Sequence, residues 1–189
     1  NGVGGLFGGL HASSANPRTM VNSYSTGNVT GVNTIGGLIG NSRYYSISNS
    51  YATGDVTGVN HVGGFIGYMT QASDTARNEV DTSYATGTVT STGRFSGGFV
   101  GYDRGYTHYT NNYATGDVVS TGNEVGGFVG SADYLGTYGT GNYATGSVTG
   151  VNRVGGFAGL LEILPDEQLT NSHATGSITV SYTHLRAHE

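Results

Sequence analysis

The chain of 189 residues holds 35 glycines, two prolines and no cysteine, and 10% of it is charged, with a formal net charge of -5. Without cysteine, neither a disulfide nor a thiolate metal ligand is expected, and without a basic surface no nucleic-acid partner is expected. No apolar run approaches the roughly 20 residues that a membrane-spanning helix requires, so membrane insertion is not expected either.

In chain order, the first element is VGGLFG at residues 3–8, followed by a polar stretch up to YSTGNVTG, which begins at Tyr24. Both elements then recur. Gly-Gly-[Leu/Phe]-x-Gly starts at Gly4, Gly36, Gly63, Gly97, Gly126 and Gly155, and YATG or a near copy starts at Tyr24, Tyr51, Tyr84, Tyr113, Tyr143 and His173. Successive tyrosine positions are 27, 33, 29, 30 and 30 residues apart. From each to the next Gly-Gly is 12 or 13 residues, whereas from the last glycine of that motif to the next tyrosine is 11 to 17. Stacked coils must keep register along their sides and can bulge at one corner, so this pattern is the signature of a solenoid. The predicted fold is all-β: a parallel, right-handed β-solenoid (β-helix) of about six coils of roughly 30 residues, each with about three short strands.

Strand alternation in SYATGDVTG turns Ala52, Gly54 and Val56 inward and Tyr51, Thr53, Asp55 and Thr57 outward. Stacking then predicts inner columns of alanine (Ala52, Ala85, Ala114, Ala144, Ala174) and valine (Val29, Val56, Val89, Val118, Val148, with Ile178) beside an outer tyrosine ladder. Leu6, Leu38, Phe65, Phe99, Phe128 and Phe157 predict a large internal column, with Ile35, Val62, Val125 and Val154 adding another and the Gly-Gly pair supplying a corner. Met20, Ile47, Val80, Tyr109 and Leu169 predict a third apolar column ahead of the tyrosines. Asn22, Asn49, Asn111 and Asn171 are expected to form an asparagine ladder at a bend. Between Leu160 and Leu169 a short helical turn or a covering loop is expected, limited by Pro165.

The alternation of YATG[DNST]V with VGG[LF][IV]G resembles the GLUG-motif repeats, whose Gly-Leu-x-Gly core stands here as Gly37-Leu38-Ile39-Gly40, and the resemblance covers residues 1–179. It implies part of a large extracellular or cell-surface bacterial protein, either adhesin-like or attached to an immunoglobulin A-cleaving metallopeptidase, with the repeats outside the catalytic machinery. The zinc motif His-Glu-x-x-His of such peptidases is absent. The expected role is therefore non-enzymatic: a rigid spacer or display rod with no catalytic residue, metal or cofactor. Its expected partners are neighbouring repeats of the parent chain and a host or environmental glycan or protein. Residues 1–179 read as one uncapped array, a segment of a longer one. Residues 180–189, VSYTHLRAHE, resemble a translated sequencing adapter and are expected to be a non-native tail.

Three surfaces carry candidate chemistry. Outward threonines at Thr26, Thr30, Thr53, Thr57, Thr86, Thr88, Thr90, Thr115, Thr145, Thr149 and Thr175 resemble the flat arrays of ice-binding solenoids, although threonine also simply suits exposed strands. The loop aromatics Tyr44, Tyr45, Tyr106, Tyr134 and Tyr138 offer contact area to a ligand or pack on the solenoid side. Asp55 and Asp117, two coils and roughly 9.6 Å apart, are the only pair suggesting a polysaccharide-active β-helix enzyme; solvated side chains explain them as well. His61 and His108 are expected to be isolated at the surface, and His173 to replace tyrosine in its column.

Overall fold

The computed structural model describes residues 2–70, 77–133, 138–162 and 168–181, and it is an all-β parallel solenoid of six coils. Each coil contributes one strand to each of five six-stranded sheets. In the second coil these are Asn33–Gly36 (sheet I), Ile39–Arg43 (sheet II), Tyr45–Ser48 (sheet III), Tyr51–Ala52 (sheet IV) and Val56–Gly58 (sheet V). The motifs set the register, with Val62 opposite Ile35, Tyr84 opposite Tyr51 and Val56 opposite Val89. The strands are shorter and more numerous than the three per coil expected. The expected helical turn is absent where the structure describes it, since Leu160 and Leu161 lie in the strand Ala158–Leu161; residues 163–167 lie outside the described residues.

Two buried columns fill the interior. Leu38, Phe65, Phe99, Phe128, Ile47, Val80 and Tyr109 belong to the larger, and Val29, Ile35, Val56, Val62, Val89, Val118, Val125 and Val148 form the smaller. The phenylalanines stack at 4.6 to 4.9 Å. Between the columns the coil is pinched. A Cβ on Gly64 would lie 3.1 Å from the Ala85 methyl and 2.1 Å from the carbonyl oxygen of Gly98. Alanine in YATG and the second glycine of Gly-Gly thus form the two sides of a waist, and larger residues on either side would force the walls apart.

The corner chemistry differs from expectation. None of the paired glycines has a positive φ; they are small because backbones approach closely. The left-handed backbone falls instead on Tyr44, between sheets II and III, and on other residues in two columns. Asn22, Asn49, Thr82, Asn111, Gly141 and Asn171, with φ from 48° to 69°, separate sheets III and IV. Thr34, His61, Phe95, Glu124 and Arg153, with φ from 50° to 65°, sit inside or beside sheet I. A left-handed residue breaks the period-two alternation, so Asn60 stays half-exposed while Val62, two positions on, is buried.

The expected asparagine ladder is displaced by one residue. Asn22, Asn49, Asn111 and Asn171 are exposed and serve the left-handed bend, which asparagine tolerates. The bonded ladder is the next column, where a side-chain oxygen accepts the amide of the adjacent coil: Ser50 N to Ser83 Oγ at 3.2 Å, Ser83 N to Asn112 Oδ1 at 2.9 Å and Asn112 N to Asn142 Oδ1 at 3.0 Å. These side chains are buried, and Asn112 Nδ2 also donates to the Val80 carbonyl at 2.8 Å. The bend is thereby satisfied without water.

Candidate functional site

The threonine array lies on the outside of sheets IV and V. Thr26, Thr53, Thr86, Thr115, Thr145 and Thr175 are all exposed, as are Thr30, Thr57 and Thr90, while Thr88 and Thr149 are half-exposed. In sheet V the order across coils is Thr30, Thr57, Thr90, Val119 and Thr149, so a 43%-exposed valine interrupts the hydroxyl row. The column between the two threonine rows is structural as well as exposed. Asp55 N donates to Asn28 Oδ1 at 2.9 Å, Thr88 N to Asp55 Oδ1 at 2.9 Å and Ser147 N to Asp117 Oδ1 at 2.7 Å. Both aspartates therefore hold the amide of the next coil where the backbone ladder is interrupted between sheets IV and V.

The loop aromatics pack more than they project. Tyr44 is buried at 3% exposure, with Arg43 over its ring at 4.9 Å, so of the two alternatives it takes the packed one. Tyr45 packs on the larger core column and Tyr106 is half-buried. Tyr138 pairs with Gln168 in sheet III, and Tyr134 lies outside the described residues. On the same sheet His108 is not isolated, since its Nε2 lies 2.7 Å from Arg77 Nη1. The expected tyrosine ladder is present: Tyr24, Tyr51, Tyr84, Tyr113 and Tyr143 stack at 4.9 to 5.0 Å, and His173 continues it at 5.3 Å.

A cluster that the sequence reading missed covers sheets I and II. The left-handed residues of sheet I aim their side chains across the outward column of sheet II. His61 stacks on Phe95 at 5.3 Å and on Tyr68 at 5.4 Å, and Phe95 stacks on Tyr102 at 4.5 Å. Burial, then the nearby Arg94 guanidinium, lowers the His61 pKa and favours the neutral ring. The Tyr102 hydroxyl donates to Asp133 Oδ2, and burial together with that bond raises its pKa. Next along the column, the Glu124 carboxylate is 3% exposed and clamped by Arg94 at 3.1 Å and Arg153 at 2.7 Å. A cavity of about 390 Å³ beside it is lined by Asn123, Glu124, Asn152 and Arg153. The available signal was variability at a fixed repeat position: one column reads Thr34, His61, Phe95, Glu124 and Arg153, while its neighbours hardly change.

Residues 31–57, one full coil, match the family model described as the GLUG motif, so the chain carries a GLUG repeat. No curated protein and no solved structure matches the chain.

Proposed function

We propose that this chain, with its GLUG repeat and five unbroken parallel ladders, is a stiff display scaffold within a secreted or cell-surface bacterial protein, with an adhesive rather than a catalytic role. The observation that supports it is the contrast between the repeated alanine and valine columns inside and the outward column Thr34, His61, Phe95, Glu124 and Arg153, which changes at every coil. Presentation suits this architecture better than reach: a coil of about 30 residues advances the stack by ~4.8 Å, whereas the same residues extended would span about 100 Å. Hydrogen-exchange mass spectrometry tests the scaffold. Amides of the described strands between Ile35 and Ala144 are expected to exchange slowly and as a block; exchange complete within seconds across the strands of the central coils would sink the proposal.

A second reading, ice binding, is favoured by one observation, the unbroken exposed column from Thr26 to Thr175. A single ice crystal grown in the protein is expected to facet if this reading holds, and not to facet with Thr86→Tyr and Thr145→Tyr. Smooth growth with the unaltered chain removes the reading and leaves the scaffold untouched.

A further inference from the structure

We propose that the face formed by sheets I and II binds an acidic polysaccharide laid along the solenoid axis, its carboxylates received by Arg43, Arg94, Arg104 and Arg153. This rests on the display reading and names the ligand class of one face.

Charge distribution is the first argument. The chain has seven basic residues and a net charge of -5, yet four of the seven fall on this one face. Its acids are Glu124, Asp133 and Glu162. Glu124 is enclosed by Arg94 and Arg153, and Asp133 accepts the Tyr102 hydroxyl. The threonine face, by contrast, carries Asp55 and Asp117 and no arginine. Four arginines against three acids leave this face net positive on a negatively charged chain, so a polyanion meets less repulsion here than on the threonine face. Arg94 and Arg153 are held by Glu124 while their side chains remain 57% and 58% exposed, so their forks are oriented before a ligand arrives.

The second argument is hydrogen-bonding capacity at the exposed surface. Asn60 Nδ2 donates to Asn33 Oδ1 at 3.0 Å and Asn152 Nδ2 donates to Asn123 Oδ1 at 2.9 Å, both exposed bonds of sheet I. Side-chain amides, which donate and accept, thus stand beside the arginines, and hydroxyl groups match them because they do both as well.

Geometry supplies the third. The left-handed column spends about 1–3 kcal/mol per residue on an unfavourable backbone, and in return presents a different side chain at each step of ~4.8 Å. A chain of 1,4-linked pyranose rings advances by a similar length per ring, so one sugar can meet one coil. The half-buried rings of His61, Phe95 and Tyr102 form the floor between the arginines.

Affinity electrophoresis of the full chain in gels containing polygalacturonate, with neutral dextran as the control, tests this. Polygalacturonate is expected to retard the chain and dextran is not. Arg104→Gln and Arg153→Gln are each expected to weaken binding about tenfold or more, while Thr53→Ala on the opposite face changes nothing. The proposal is overturned by no retardation, by equal retardation in dextran, or by arginine variants that bind as the parent does. Hydrogen exchange on the same variants separates the two readings: intact protection with lost binding locates the effect in the face, and absent protection in the parent chain indicts the scaffold itself.

Discussion

Asp103 lies inside the solenoid, at the position that other coils fill with Ser42, Met69, Ala132 and Leu161. Its carboxyl accepts the Gly105 amide at 2.9 Å, the Thr107 hydroxyl at 3.1 Å and the Tyr109 hydroxyl at 2.8 Å. Burial outweighs these bonds and pushes its pKa up to about 7, with Asp133 adding to the rise. The folded state thus holds a proton that the unfolded chain releases near pH 4. The stabilisation is fully present below that pH and is lost as pH rises through about 7. Complete ionisation would cost about 4 kcal/mol at most. Asp103→Asn, which keeps an oxygen for the Gly105 amide, is expected to gain stability over the parent at pH 8 relative to pH 5. Urea unfolding at both pH values checks this; an equal difference at the two would mean that Asp103 does not titrate in this window. Nothing in YDRGYTHY marks that aspartate as interior, because only the coil closing over it removes it from water.

The strands interlock across coils through small residues matched in size. A Cβ on Gly58 would come within 2.5 Å of Ile35 Cδ1 and 3.0 Å of Val62 Cγ2, so glycine stands where its neighbours are large. In the next coil Ser96 replaces the valine, and the space admits Ser91, whose hydroxyl bonds Ser96 and, at 2.7 Å, Ser120. Ser96→Val is therefore expected to cost about 1–3 kcal/mol by crowding Ser91 and removing a partner. Adding Ser91→Gly should recover most of that loss in thermal unfolding; a double variant no better than the single one would show that the two positions are not coupled. Alternation alone placed Ala52 and Val56 correctly, whereas placing Phe65 inside with Val62 needed a corner at the Gly-Gly pair. It could not place Thr34 or Phe95, whose left-handed backbone no local propensity favours and which the surrounding stack imposes.

For the whole molecule, stability comes mainly from each coil meeting its neighbours, so the outermost coils expose residues whose counterparts further in are buried: Leu6 at 42% and Ile178 at 52%, against 0% for Leu38, Phe65 and Val118. The same stacking turns one-dimensional motifs into two-dimensional faces. A face is therefore where function has to be sought in this fold, and two are chemically distinct: a threonine face bearing aspartates and an arginine-rich face bearing half-buried rings. The repeat period, the parallel solenoid, the inner columns and the tyrosine ladder were determined by the sequence, because residues at equal positions of a repeat must meet when coils stack. Tertiary structure alone decided the five-strand coil, the pinched waist, the serine and asparagine ladder one residue beyond the expected one, and the joining of His61, Phe95, Tyr102 and Arg94. Those features depend on close backbone approach and on left-handed residues that reverse a side chain's direction, and neither leaves a periodic trace in the chain.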